Sequence, residues 1–201
     1  IQIHLGPFEI SPGSEREFFY YQVLDTTEDI YIEKVEISMR QGSHHFLAYT
    51  FGEDLLIAPP EENKIRDIRD QFGNYIFENM LPMLFHQFVT GTQWQNLDFS
   101  FQPATALRLP NTYGLDFNPH YINYTDSISF GEVYMNLHLV DPGEVEHVAE
   151  ILVLNNFDIS LSPLDTTILE KTFYFNDIME NSIHDNATQI QIIQMFSHAH
   201  E

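Results

Sequence analysis

The chain has 201 residues with 30 acidic and 8 basic side chains, a formal net charge of −22 with histidine neutral. So negative a surface argues against nucleic acid or an anionic membrane as the main partner. An apolar fraction of 43% with 14% aromatic residues excludes a disordered acidic tail, and the absence of cysteine excludes disulfides, thiolate metal sites and Cys nucleophiles.

In chain order, the first strand composition lies at Phe18 to Leu24, rich in aromatics and Val. Ile30 to Arg40 alternates: Val35, Ile37 and Met39 face one way, and Glu36, Ser38 and Arg40 the other. Ser43 to Phe51 reads as a strand too. Glu61 to Gln71 is charged, with Ile65 and Ile68 three apart, and predicts the one helix. Gly114 to Tyr124 and Val133 to Val140 return to strand, with Val133, Met135, Leu137 and Leu139 as the core face of the second. Ile151 to Leu154, Thr167 to Phe175 and Thr188 to Phe196 continue the pattern. Turn signals fall at Pro12-Gly13, Pro59-Pro60, Asn111 with Gly114, and Asp141-Pro142-Gly143.

Many short strands with such punctuation predict an all-β, antiparallel β-sandwich of jelly-roll type. The Asp141-Pro142-Gly143-Glu144 turn is the expected boundary between an N-terminal sandwich over 1–143 and the first strands of a second, similar domain over 144–201. No apolar run reaches the roughly 18 residues of a bilayer span. A start at Ile1 and an end at Glu201 suggest a piece of a longer protein.

Of ten histidines, three groupings are the candidates for chemistry. His198 and His200 lie two apart on an expected strand, so their rings share a face. At strand rise their Cα atoms are roughly 6–7 Å apart, close enough to converge on one metal. The plainer reading is two histidines on a solvated face. His44 and His45 are adjacent, so a regular strand would point them apart; they share a metal only where the strand bulges. His120 follows Pro119, which lacks a ladder donor and predicts an edge or a bend. Asn118, Tyr121 and Asn123 flank it as candidate hydrogen-bonding partners. All-imidazole ligation favours copper or zinc over calcium or magnesium. His4, His86, His138, His147 and His184 lack local company and read as surface or packing residues.

Taken in order, these groups resemble the copper type II, ascorbate-dependent monooxygenases, the family of peptidylglycine α-hydroxylating monooxygenase and dopamine β-monooxygenase, and their bacterial branch in particular. The resemblance runs from Leu5-Gly6-Pro7-Phe8 through Ser43-His44-His45 and His120-Tyr121-Ile122-Asn123-Tyr124-Thr125 to Ser197-His198-Ala199-His200. It implies two jelly-roll-like domains and two coppers. His44, His45 and His120 would hold the first; His198 and His200, with a methionine, the second. Ascorbate would be the electron donor, O2 the co-substrate and a C–H bond the target. Met195 has the wrong strand parity for the methionine role, so a chain of this extent is expected to hold one nearly complete site and half of another, without turnover. The substrate, a small molecule or a peptide, is not inherited from the resemblance.

Two other readings stand beside this one. The chain fits a non-catalytic binding or adhesion module that uses its histidines only to hold metal. It also fits, less well given the separation of His45 from His198, a cupin-like enzyme with one metal and a Glu ligand. The resemblance and the acidic surface favour a secreted or periplasmic protein. Asn123-Tyr124-Thr125 and Asn186-Ala187-Thr188 are formal glycosylation sequons.

Overall fold

The computed structural model describes residues 1–52, 55–154, 160, 164, 166–174 and 189–195. The chain divides into two compact units, Ile1–Ala149 and Glu150–Phe196. The strands of the first are β1 (Gln2–Ile10), β2 (Glu15–Gln22), β3 (Ile30–Met39), β4 (Ser43–Phe51), β5 (Ile65–Asp67), β6 (His86–Thr92), β7 (Asn96–Ser100), β8 (Thr105–Leu109), β9 (Leu115–Ile122), β10 (Ser129–Leu139) and β11 (His147–Ala149). One helical turn, α1 (Phe77–Met80), runs into a 3-10 turn over Leu81–Phe85 ahead of β6.

These strands make an all-β sandwich of two sheets. One has the order β1-β10-β3-β8-β11, with β7 on the same edge of β3 further along; the other has the order β5-β2-β9-β4-β6. Every described pair is antiparallel except β11 on β8. The parallel β11–β8 pair carries the first unit past the Asp141–Glu144 turn to Ala149.

The alternation read from β3 is the alternation observed: Val35, Ile37 and Met39 are buried while Ser38 and Arg40 are exposed. Val133, Met135 and Leu137 of β10 pair with them from the next strand. Leu139 departs from expectation. The register with β3 slips between His138 and Leu139 at the strand end, and Leu139 is exposed. Phe18, Phe46, Phe117 and Tyr121 close the core from the second sheet, each such side chain stabilising the fold by about 1.5–3 kcal/mol when fully buried. Tyr121 requires Gly131 beside it, since a Cβ there would sit 2.4 Å from the phenol ring.

The helix expected over Glu61 to Gln71 is corrected. This run holds β5, which pairs Ile65, Arg66 and Asp67 with Tyr20, Phe19 and Phe18 of β2. Helix propensity is a weak prior, and cross-strand partners override it here. The sequon at Asn123 is structural. Its side chain is buried and donates to the carbonyls of Ile10, Ser11 and Ser127, while its Oδ1 accepts from Thr125. Asn186 lies outside the described residues.

In the second unit, no described residue lies in a helix or strand. The strands expected over Ile151 to Leu154, Thr167 to Phe175 and Thr188 to Phe196 are therefore not found among the described residues. Val153, Ile168 and Ile192 are exposed. A strand composition without a neighbouring strand has no ladder to complete and no face to bury.

Candidate metal centre

The second sheet has two unlike faces. Alternation sends Leu115, Phe117 and Tyr121 of β9 into the core between the sheets and Asp116, Asn118 and His120 to the opposite face. That opposite face is buried as well: Asp116, Asn118 and His120 are all at most 4% exposed. The register aligns three strands across it, with Glu17 of β2 opposite His120 of β9, and His120 opposite His45 of β4.

His44 reaches the same place through a bulge. Between β4 and β9, Ser43 pairs with Tyr121 and His45 with the next residue, His120, so His44 is the extra residue. A bulge of this kind re-aims a side chain that regular pleating would send to the other face. The ring centroids of His44 and His45 are 5.6 Å apart, and each lies 4.9 Å from that of His120. One ring nitrogen from each of the three lies within 4.8 Å of the others. Imidazole nitrogens bind copper or zinc at about 2 Å, so this donor set fits such an ion. His45 and His120 are buried, and His44 is half-buried.

His120 is not on an edge. Order β5-β2-β9-β4-β6 makes β9 the central strand. Its pairing with β2 joins Glu17 to His120 and Tyr20 to Phe117 and skips the residues between. Pro119 has no N–H to give there, and Asn118 Nδ2 donates to the Phe18 carbonyl at 3.1 Å instead.

The same amide sets the tautomer of His45. Asn118 Nδ2 donates to both the Phe18 carbonyl and Glu17 Oε1, the latter at 3.2 Å. A flipped amide would aim its oxygen at two acceptors, so Oδ1 faces His45 Nε2, 3.2 Å away. His45 Nε2 therefore carries the proton, and Nδ1 holds the lone pair that a metal needs. Glu15 Oε1 lies 3.1 Å from His120 Nε2 and sets a carboxylate beside that ring. Burial pushes the His120 pKa below the ordinary imidazole value, while Glu17 and Glu15 pull it back up. The net effect keeps this ring neutral, the form that binds metal.

Of the flanking residues, Asn118 serves His45 rather than His120, Asn123 is spent on turns, and Tyr121 points into the core. Glu15 and Glu17 escaped notice in the sequence. Their signal was there: two carboxylates at alternate positions of an aromatic strand must share a face. With His120 they form a second group whose ligand atoms lie within 4.8 Å of one another.

Further along the same face, Asp116 is fully buried between Arg66, 2.5 and 2.6 Å from its two oxygens, and His86 Nε2 at 2.9 Å. His86 also stacks on Tyr49 at 4.5 Å. This is the packing role expected of His86, and it ties β5 and β6 to β9. His4 and His138 are exposed and pair with Glu132 and Glu36. Lys34, then His138 and Asn136, hold the Glu36 carboxyl down to about 2.

The structure thus brings together His44, His45 and His120. His198 and His200, expected at a second copper, and His184 lie outside the described residues. No described helix is long and apolar enough to cross a membrane. Comparison with family models, with curated proteins and with solved structures finds no match to this chain.

Proposed function

We propose that the chain binds one copper ion through His44, His45 and His120 and belongs to a copper type II, ascorbate-dependent monooxygenase. The observation that carries this reading is the convergence of three imidazoles from two strands, achieved by a bulge at the one residue that needed re-aiming. When bound, copper would supply the one-electron chemistry that, in the family the chain resembles, takes electrons from ascorbate and uses O2 to hydroxylate a C–H bond. The chain's own residues do the rest. Asn118 holds the Nε2 proton on His45 and leaves its Nδ1 for the metal, while Glu15 sets a carboxylate beside His120. Burial of those two rings keeps water from them, and half-buried His44 marks the more open side. A second copper at His198 and His200, and a secreted or periplasmic location, belong to the same proposal.

Copper loading tests it. The apo chain is loaded with Cu(II), freed of excess metal, and read by elemental analysis and electron paramagnetic resonance. The expected result is a type 2 copper that His45→Ala loses, bleached by ascorbate and restored by air. A folded protein with no stoichiometric copper refutes the proposal.

A second reading is a metal-holding module with no redox role. The two carboxylates beside the histidines favour it, because oxygen donors suit an ion of fixed valence such as zinc. Loading from an equimolar copper and zinc mixture separates the two. Zinc retained with copper excluded, or copper that ascorbate does not reduce, selects the module.

A further inference from the structure

We infer that Glu17 and Glu15 bias this centre toward the divalent over the monovalent state of bound copper. The inference rests on the copper reading above and concerns what the neighbouring strand adds to it.

Three neutral imidazoles leave the full charge of the ion uncompensated. The two oxidation states differ by one unit of charge, and a nearby carboxylate acts on that difference. Glu17 stands in register with His120 and His45. Its Oε1 lies 3.7 Å from His45 Nε2, and its side chain is only 13% exposed, so water screens it weakly. Glu15 Oε1 touches His120 Nε2 but is 45% exposed, and Arg69 Nη1 lies 2.7 Å from the same oxygen. Glu17 thus carries most of the bias, and Arg69 cancels part of what Glu15 adds.

The arrangement predicts effects of opposite sign. Cu(II) and Cu(I) affinities are measured separately on the 201-residue chain by competition with chromophoric chelators, the second without oxygen. In Glu17→Gln, which keeps the shape and an acceptor for Asn118, Cu(II) affinity falls about tenfold more than Cu(I) affinity. For a one-electron couple that ratio is a rise of about 59 mV. Glu15→Gln moves the ratio in the same direction by less, and it stands in should Glu17→Gln fail to fold. Arg69→Gln moves the ratio the other way. Equal losses for both ions would make the carboxylates positioning groups only and overturn the inference, as would an unchanged ratio or an Arg69→Gln effect of the same sign. A folded wild-type chain that binds neither ion overturns the copper reading itself, and this inference with it.

Discussion

Asn118→Leu removes three hydrogen bonds at once from a residue of similar size. Its amide donates to Glu17 at 3.2 Å and to the Phe18 carbonyl at 3.1 Å, and its oxygen faces His45 Nε2 at 3.2 Å. The site is buried, so water does not replace what is lost. A buried polar group deprived of its partner costs about 1–3 kcal/mol. Loss of a residue that orients a metal-bound histidine weakens metal binding about 10- to 100-fold, which is about 1.4–2.7 kcal/mol. The two ranges agree, as they should if the same hydrogen bond holds the ring in the apo protein and in the metal complex. The assay is a chelator competition for Cu(II) alongside urea unfolding of the apo chain. The variant is expected to lose about 1–3 kcal/mol of apo stability and one to two decades of copper affinity. Asn118→Asp keeps an acceptor for His45 but sets a carboxylate against Glu17, so it should lose stability while retaining more copper affinity than the leucine variant. A folded Asn118→Leu chain whose copper affinity stays within about threefold of wild type would refute the tautomer argument.

Three further outcomes follow from the same face and the core behind it. Asp116→Ala leaves Arg66 buried without its carboxylate and should lower stability by about 3–5 kcal/mol in urea unfolding; a loss below 1 kcal/mol would show that water or His86 compensates. Gly131→Ala should cost about 1–3 kcal/mol by overpacking, because the new methyl meets the Tyr121 ring, and combining it with Tyr121→Leu should recover part of that loss if the clash is the cause. Burial, with Glu17 and Asp116 adding to it, pushes the Tyr49 phenol up to about 12. A raised folded-state value gives a stability contribution complete below the unfolded value near 10 and lost as pH rises toward 12. Tyr49→Phe should therefore show a shallower alkaline loss of stability between those limits, and an identical pH profile would remove Tyr49 as its source.

The sheet pattern was legible because period-two alternation is a local property. Val35, Ile37 and Met39 could be assigned to the core from their own segment, and β4 was bounded at Ser43 and Phe51 from composition. The same logic failed at Glu61 to Gln71. Its isoleucine spacing suits a helix, and only the free edge of β2 makes it a strand. It failed again in the second unit, where strand-like composition has no described strand partner. The site was half legible. Three histidines could be named, but His44 and His45 looked incompatible on a regular strand.

By itself the sequence determined an acidic, cysteine-free, strand-rich chain with a sandwich core, and it singled out histidines as candidate metal ligands, because composition and alternation act through each residue and its near neighbours. The tertiary structure decided what no local pattern encodes. It placed His120 on the central strand, set the bulge that turns His44 toward His45, and brought Glu15, Glu17 and Asn118 against the rings. Register is the physical reason: a slip of one residue exchanges the two faces of a strand, and that choice is made between segments some seventy to one hundred residues apart, where sequence periodicity carries no information.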